Sequence, residues 1–156
     1  MADRHLIDVH LLLLRPGPGP GPGPDAGSEV LLSLRRDPAH PRFDGRWHLP
    51  SGKLDAGESA LAAAAREAHE ELGVVIAEAD LRLVHTAHAT ATGVEPRLGL
   101  FFAVTAWGGE PVNAEPDKCA ELRWFGLDAL PDDLIEYSLL GLDGHRTATP
   151  FSVYGW

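Results

Sequence analysis

The sequence predicts an α/β fold in which a mixed sheet lies between helices. Three observations carry this expectation: segments with strand period flank an early helix, that helix has an apolar face, and a second helical segment follows the last strands. In chain order, Ile7, Val9, Leu11 and Leu13 alternate with Asp8, His10 and Leu12, the two-residue period of a strand. Val30 to Leu34 is a second apolar run, closed by Arg35 and Arg36. Between the two, Pro16 to Pro24 alternates proline with glycine. A period of two excludes a collagen triple helix. Proline removes ladder donors and glycine weakens order, so residues 16–24 read as a flexible loop joining two strands.

The early helix is predicted to start at Ser59, as N-cap, and to stop at Gly73. Leu81 to Thr90 and Arg97 to Thr105 read as strands. The second of these places Leu98, Leu100, Phe102 and Val104 on one face and Gly99, Phe101 and Ala103 on the other. Gly108-Gly109 marks a turn, Glu121 to Phe125 a short strand, and Leu134 to Leu142 a second helix.

A length of 156 residues fits one domain, residues 1–156, with room for a core. The formal charge of −10 argues against polymeric nucleic acid or an anionic membrane as the main partner, since both repel an acidic surface. A phosphorylated small molecule stays compatible if metal ions bridge the two. The single cysteine, Cys119, rules out an internal disulfide and an all-cysteine zinc site. With no leader-like start and no run of membrane-spanning length, a cytoplasmic location is expected.

Chemistry concentrates between Gly52 and Val74. At about 100° per residue, Glu67, Glu70 and Glu71 share one arc of the helix. Leu61, Ala64, Ala65, Ala68 and Leu72 form the neighbouring apolar arc, predicted to be buried. Like charges three and four residues apart repel. Three together beside a core therefore point to a bound cation, and an oxygen-only donor set suits Mg²⁺ or Mn²⁺ rather than zinc.

This segment resembles the Nudix box, with Gly52, Glu58, Arg66, Glu67, Ala68, Glu70, Glu71, Gly73 and Val74 at its fixed positions. Ala68 is smaller than is usual there. The resemblance implies an α/β/α sandwich and a hydrolase acting on nucleoside diphosphates linked to another moiety. It also implies metal ligation by Glu67, Glu70 and Glu71, by the backbone carbonyl of Ser51, and by Glu58 through water, unless Glu58 only braces the loop. Arg66, four residues before Glu70, is expected to orient that carboxylate. In MutT-like members the general base follows a Trp-x-Gly-Glu-Pro turn. Trp107-Gly108-Gly109-Glu110-Pro111 matches it and points to Glu115, with Asp117 and Glu121 as alternatives.

For the nucleoside, Trp124 either stacks on a purine or belongs to the core, as does Phe125. Asp132 and Asp133, after Leu130-Pro131, either read a purine edge or cap the second helix. His48, His85 and His88 are expected to be ordinary surface or packed residues. The expected activity is Mg²⁺-dependent pyrophosphohydrolysis of a nucleoside triphosphate or a related derivative. Cleavage of ADP-ribose or a nucleotide sugar, and a non-catalytic nucleotide sensor, are the alternatives. The resemblance gives no assembly state; a homodimer is compatible with it.

Overall fold

The four consecutive leucines Leu11 to Leu14 are each at most 4% exposed because their strand, β1 (Leu6–Pro16), is central and covered on both faces. The remaining strands of the computed structural model are β2 (Ser28–Arg35), β3 (Trp47–His48), β4 (Ser51–Lys53), β5 (Arg82–Ala91), β6 (Val94–Val104), β7 (Cys119–Gly126) and β8 (Phe151–Tyr154). The helices are α1 (Ala60–Leu72) and α2 (Glu136–Arg146), with a 3₁₀ turn at Glu78–Asp80. The structure describes residues 1–19 and 27–156. Pro16 closes β1, and the expected flexible loop falls largely on residues 20–24, outside those described.

The sheet order is β3-β2-β1-β6-β5-β8, with β4 added to β1 and β7 to β2. Pairing is parallel for β1 with β6 and for β5 with β8, and antiparallel elsewhere, so the sheet is mixed. Alternation along β1 divides the interior into two cores. Val9, Leu11 and Leu13 pack with Phe102 and Val104 against Ala64, Ala68 and Leu72 of α1. Leu12 and Leu14 pack with Phe101 and Ala103 against Leu142 of α2. One helix on each face gives the expected α/β/α sandwich.

Helix α1 is capped as predicted: the Ser59 hydroxyl accepts the Ala62 N–H at 3.1 Å, and Gly73 takes the left-handed conformation at φ 68°. Its buried stripe differs from the expected one. Ala64, Ala68 and Leu72 are buried as expected, but Ala63 is buried and Ala65 only half-buried, so the inward arc extends to Ala63 and takes in the half-buried Glu67 and Glu71. The flanking residues are alanines, whose small side chains let α1 sit close over β1 and β4. Ala63 on one side and Ala64, Ala68 and Leu72 on the other are fully buried, and the two half-buried carboxylates lie between them.

Three further departures are local. Helix α2 begins at Glu136 and ends at Arg146, later than predicted at both ends, because Leu134 and Ile135 are buried as an extended anchor ahead of it. Its N-cap is Ile135, with no side-chain cap, so Asp132 and Asp133 do not cap it. β8 was not predicted; buried His85 shares hydrogen bonds with the Thr149 carbonyl at 2.6 Å and the Ser152 hydroxyl at 2.8 Å and ties this strand to β5. Among the described residues no helix is long and apolar enough to cross a membrane.

Candidate active site

The C-terminal half of α1, the β4 loop and the segment before β7 enclose a cavity of about 530 Å³. Glu67, Glu70, Glu71 and Glu115 line it. Glu71 is the most recessed; one of its oxygens accepts the Ser51 N–H at 3.0 Å. Burial, reinforced by the charges of Glu67 and Glu115, pushes its carboxyl up to about 8. Burial also raises Glu67, against the opposing pull of Arg66.

Glu115 reaches the cavity through backbone pairing. The last carbonyls of a helix have no donor within it. Here Val112 donates its N–H to Leu72 O at 2.9 Å, and Ala114 donates to Glu71 O at 3.1 Å. These two bonds strap the loop to the end of α1 and deliver Glu115 beside Glu71. Lys118, one turn on, stands 3.7 Å from Glu115. Asp117 and Glu121 are not in the cavity wall, and Glu121 pairs with Arg123 at 2.7 Å.

Arg66 works from outside the wall. It pairs with Glu58 at 2.6 Å, Glu67 at 2.9 Å and Glu70 at 3.2 Å, and donates to Lys53 O at 3.1 Å. It therefore orients more than the single carboxylate expected of it. Glu58, a predicted metal ligand, also lies outside the wall. Its oxygens are taken by Arg66 and by the Asp55 N–H at 2.7 Å, and Arg66 holds its carboxyl down to about 2.

Gly52 faces α1 across this contact. A Cβ there would overlap the Glu67 carboxylate, the flexible end of that side chain. Gly52→Ala is therefore expected to melt within a few degrees of the wild type while displacing Glu67. A misplacement of this size lowers turnover by about 10²-fold. Thermal melts beside steady-state rates check this; equal loss of fold and rate would contradict it.

The chemistry of this donor set suits a divalent cation. The convergent groups are hard oxygen donors, and no arginine or lysine forms an ion pair with recessed Glu71 among the described residues. No three of the described His, Cys, Asp and Glu side chains gather at ligand distance, and Arg66 engages Glu67 and Glu70.

The predicted nucleoside residues lie elsewhere. Trp124 is half-buried on β7, packed on the α1-side core, stacked on Trp107 at 6.1 Å and covered by Arg15 at 4.0 Å. Asp132 and Asp133 are exposed and line neither this cavity nor its neighbour. Sequence reasoning missed that second cavity, of about 420 Å³, on the α2 side of β4. Arg35, His48, Ser51 and Lys53 line both. His48 is packed, not exposed: burial, then the charges of Arg35 and His10, lower its pKa to about 3 on the ridge between the two cavities. The signal that could have revealed the second cavity is Asp8 and His10, two polar residues two apart on an otherwise apolar strand.

A family model for the NUDIX domain matches residues 24–140, three-quarters of the chain. The chain belongs to the NUDIX family. Among solved NUDIX structures, a MutT NUDIX hydrolase from Burkholderia pseudomallei superposes with a TM-score of 0.76 and 27% identity, covering 91% of this chain and 98% of that one. A curated 8-oxo-(d)GTP phosphatase of Mycolicibacterium smegmatis is 40% identical over 94 residues, 60% of this chain and 27% of the relative. A putative 8-oxo-dGTP diphosphatase 2 of Mycobacterium tuberculosis is 50% identical over 52 residues, 33% of this chain and 36% of the relative. The chain thus spans roughly a quarter to a third of the length of the curated relatives it matches.

Proposed function

We propose that this NUDIX chain hydrolyses a nucleoside triphosphate, or a closely related nucleoside diphosphate derivative, to a monophosphate and a phosphate-bearing leaving group, using Mg²⁺. The observation that carries the reading is the convergence of Glu67, Glu71 and Glu115 on one cavity whose wall also holds both lysines of the chain, Lys53 and Lys118. The names of the matched relatives favour an oxidised guanine nucleotide among triphosphates.

Glu67 and Glu71 are the residues that would hold Mg²⁺, with Glu70 at the outer edge and Ser51 supplying backbone. A divalent cation there neutralises phosphate charge and favours deprotonation of water. Lys53, Lys118 and Arg36 attract and orient the phosphate chain. Glu115, strapped beside Glu71, accepts the proton of the attacking water. Arg66 fixes the ligand carboxylates through its fork of donors and touches no substrate.

A panel of ordinary and oxidised nucleoside triphosphates, ADP-ribose, and sugar and dinucleotide conjugates, assayed with Mg²⁺, tests the reading. Triphosphates are expected to be turned over fastest. Turnover of ADP-ribose alone would replace the triphosphate by a nucleoside diphosphate derivative as the substrate, and tight binding without turnover would replace catalysis by sensing.

A further inference from the structure

The second cavity contains a built polar site that the hydrolytic machinery does not use. Asp8 and His10, on the α2-facing side of β1, are 4% and 5% exposed. Asp8 sits directly opposite Lys53, and His10 opposite Ser51, so the site lies one strand away from the metal-side loop. Asp8 is fully engaged: Oδ1 accepts from His10 Nε2 at 2.8 Å and from the Tyr137 hydroxyl at 3.0 Å, and Oδ2 accepts from Arg97 Nη1 at 3.1 Å. His10 is stacked on Phe101 with ring centroids 4.4 Å apart. A Cβ at Gly99 would overlap the Tyr137 hydroxyl, so the absence of a side chain there admits this contact.

This network holds one group ready for a ligand. Arg97 Nε donates to Glu95 O at 3.2 Å and Nη1 to Asp8, which leaves Nη2 without an acceptor among the described residues. The Arg97 side chain is only 22% exposed and lines the cavity. Its charge is already balanced by a buried carboxylate. A neutral acceptor such as a carbonyl suits it better than a phosphate, for which the adjoining cavity has Arg36 and Lys118. Phe43, Val94 and Ile135 supply apolar wall, and a volume of about 420 Å³ accommodates a nucleoside.

We infer that the Asp8-oriented guanidinium of Arg97 reads the base, selecting 6-oxopurines, which present a carbonyl acceptor, over adenine, which presents an amine donor. This rests on the reading of the chain as a nucleotide hydrolase. Arg97 would be a specificity-determining residue, with Asp8 and Tyr137 as positioning residues.

Calorimetric binding of dGMP, IMP and dAMP, beside kcat and KM for dGTP and dATP, tests it on the wild type and Arg97→Gln. The wild type is expected to bind dGMP and IMP more tightly than dAMP. Arg97→Gln should weaken the two 6-oxopurines roughly ten- to a hundredfold, leave dAMP unchanged, and raise KM for dGTP with kcat preserved. Equal weakening of all three nucleotides, or no weakening, would overturn the inference. If Arg97→Gln fails to fold because Asp8 is left uncompensated, the double variant Asp8→Asn/Arg97→Gln removes both charges and must show the same loss of discrimination. Base discrimination in binding without any turnover by the wild type would sink the hydrolytic reading and uphold this one. Turnover without discrimination would do the reverse.

Discussion

Glu71→Gln is expected to lower turnover by ~10³-fold or more while making the metal-free protein more stable at neutral and alkaline pH. The two effects share one cause. Glu71 lies in the middle of the buried arc of α1, where its charged form loses hydration and meets Glu67 and Glu115. Its carboxyl stands at about 8 in the folded chain against an ordinary 4.5. Between these values the folded chain binds more protons than the unfolded one. The stability tied to this group is therefore complete below pH 4.5 and disappears as the pH rises through about 8. Glutamine keeps the shape, can still accept the Ser51 N–H, and carries no charge to desolvate. Melts in EDTA should show the variant gaining on the wild type from pH 5 to pH 9, reaching about 1–3 kcal/mol. Equal melting at all pH values, or near-normal rates at saturating Mg²⁺, would remove Glu71 from the role given to it.

Glu115→Gln is expected to reduce kcat by about 10²- to 10³-fold, the range for loss of a general base, with a much smaller change in Mg²⁺ affinity. The two straps from the loop backbone to the last turn of α1 involve no side chain of Glu115, so the loop should keep its place. Rates measured against Mg²⁺ concentration separate the effects. A rate restored by excess Mg²⁺ would make Glu115 a metal ligand, and an unchanged rate would return the base role to a residue outside the cavity wall.

The fold and one side of the site were legible for physical reasons that can be named. Ser59 and Gly73 mark helix ends through local hydrogen bonding and backbone freedom, which a sequence displays directly. The alternation in β1 and β6 likewise exposes which residues meet which helix. The buried arc of α1 is wider than the expected apolar stripe, since it reaches Ala63. Small alanines flank two inward carboxylates, and periodicity alone cannot separate a buried functional Glu from one at the edge of a stripe. β3, β4 and β8 span 2, 3 and 4 residues, too short to show a period, and owe their existence to neighbours already in the sheet.

The proposed nucleoside side was not legible. Asp8, Arg97 and Tyr137 are far apart in sequence and belong to β1, β6 and α2; only the register of the parallel pair β1–β6 and the docking of α2 unite them. Trp124, Asp132 and Asp133 have the residue types of a base-reading site, yet the sheet packs Trp124 against the other core and leaves the two aspartates in solvent.

The most direct test of the hydrolytic reading is ³¹P NMR of dGTP, and of 8-oxo-dGTP, incubated with the chain and Mg²⁺. Signals of the monophosphate and pyrophosphate from either, absent when EDTA is added, are the predicted result. Signals of dGDP and inorganic phosphate, or dGTP and 8-oxo-dGTP both left untouched, would contradict it.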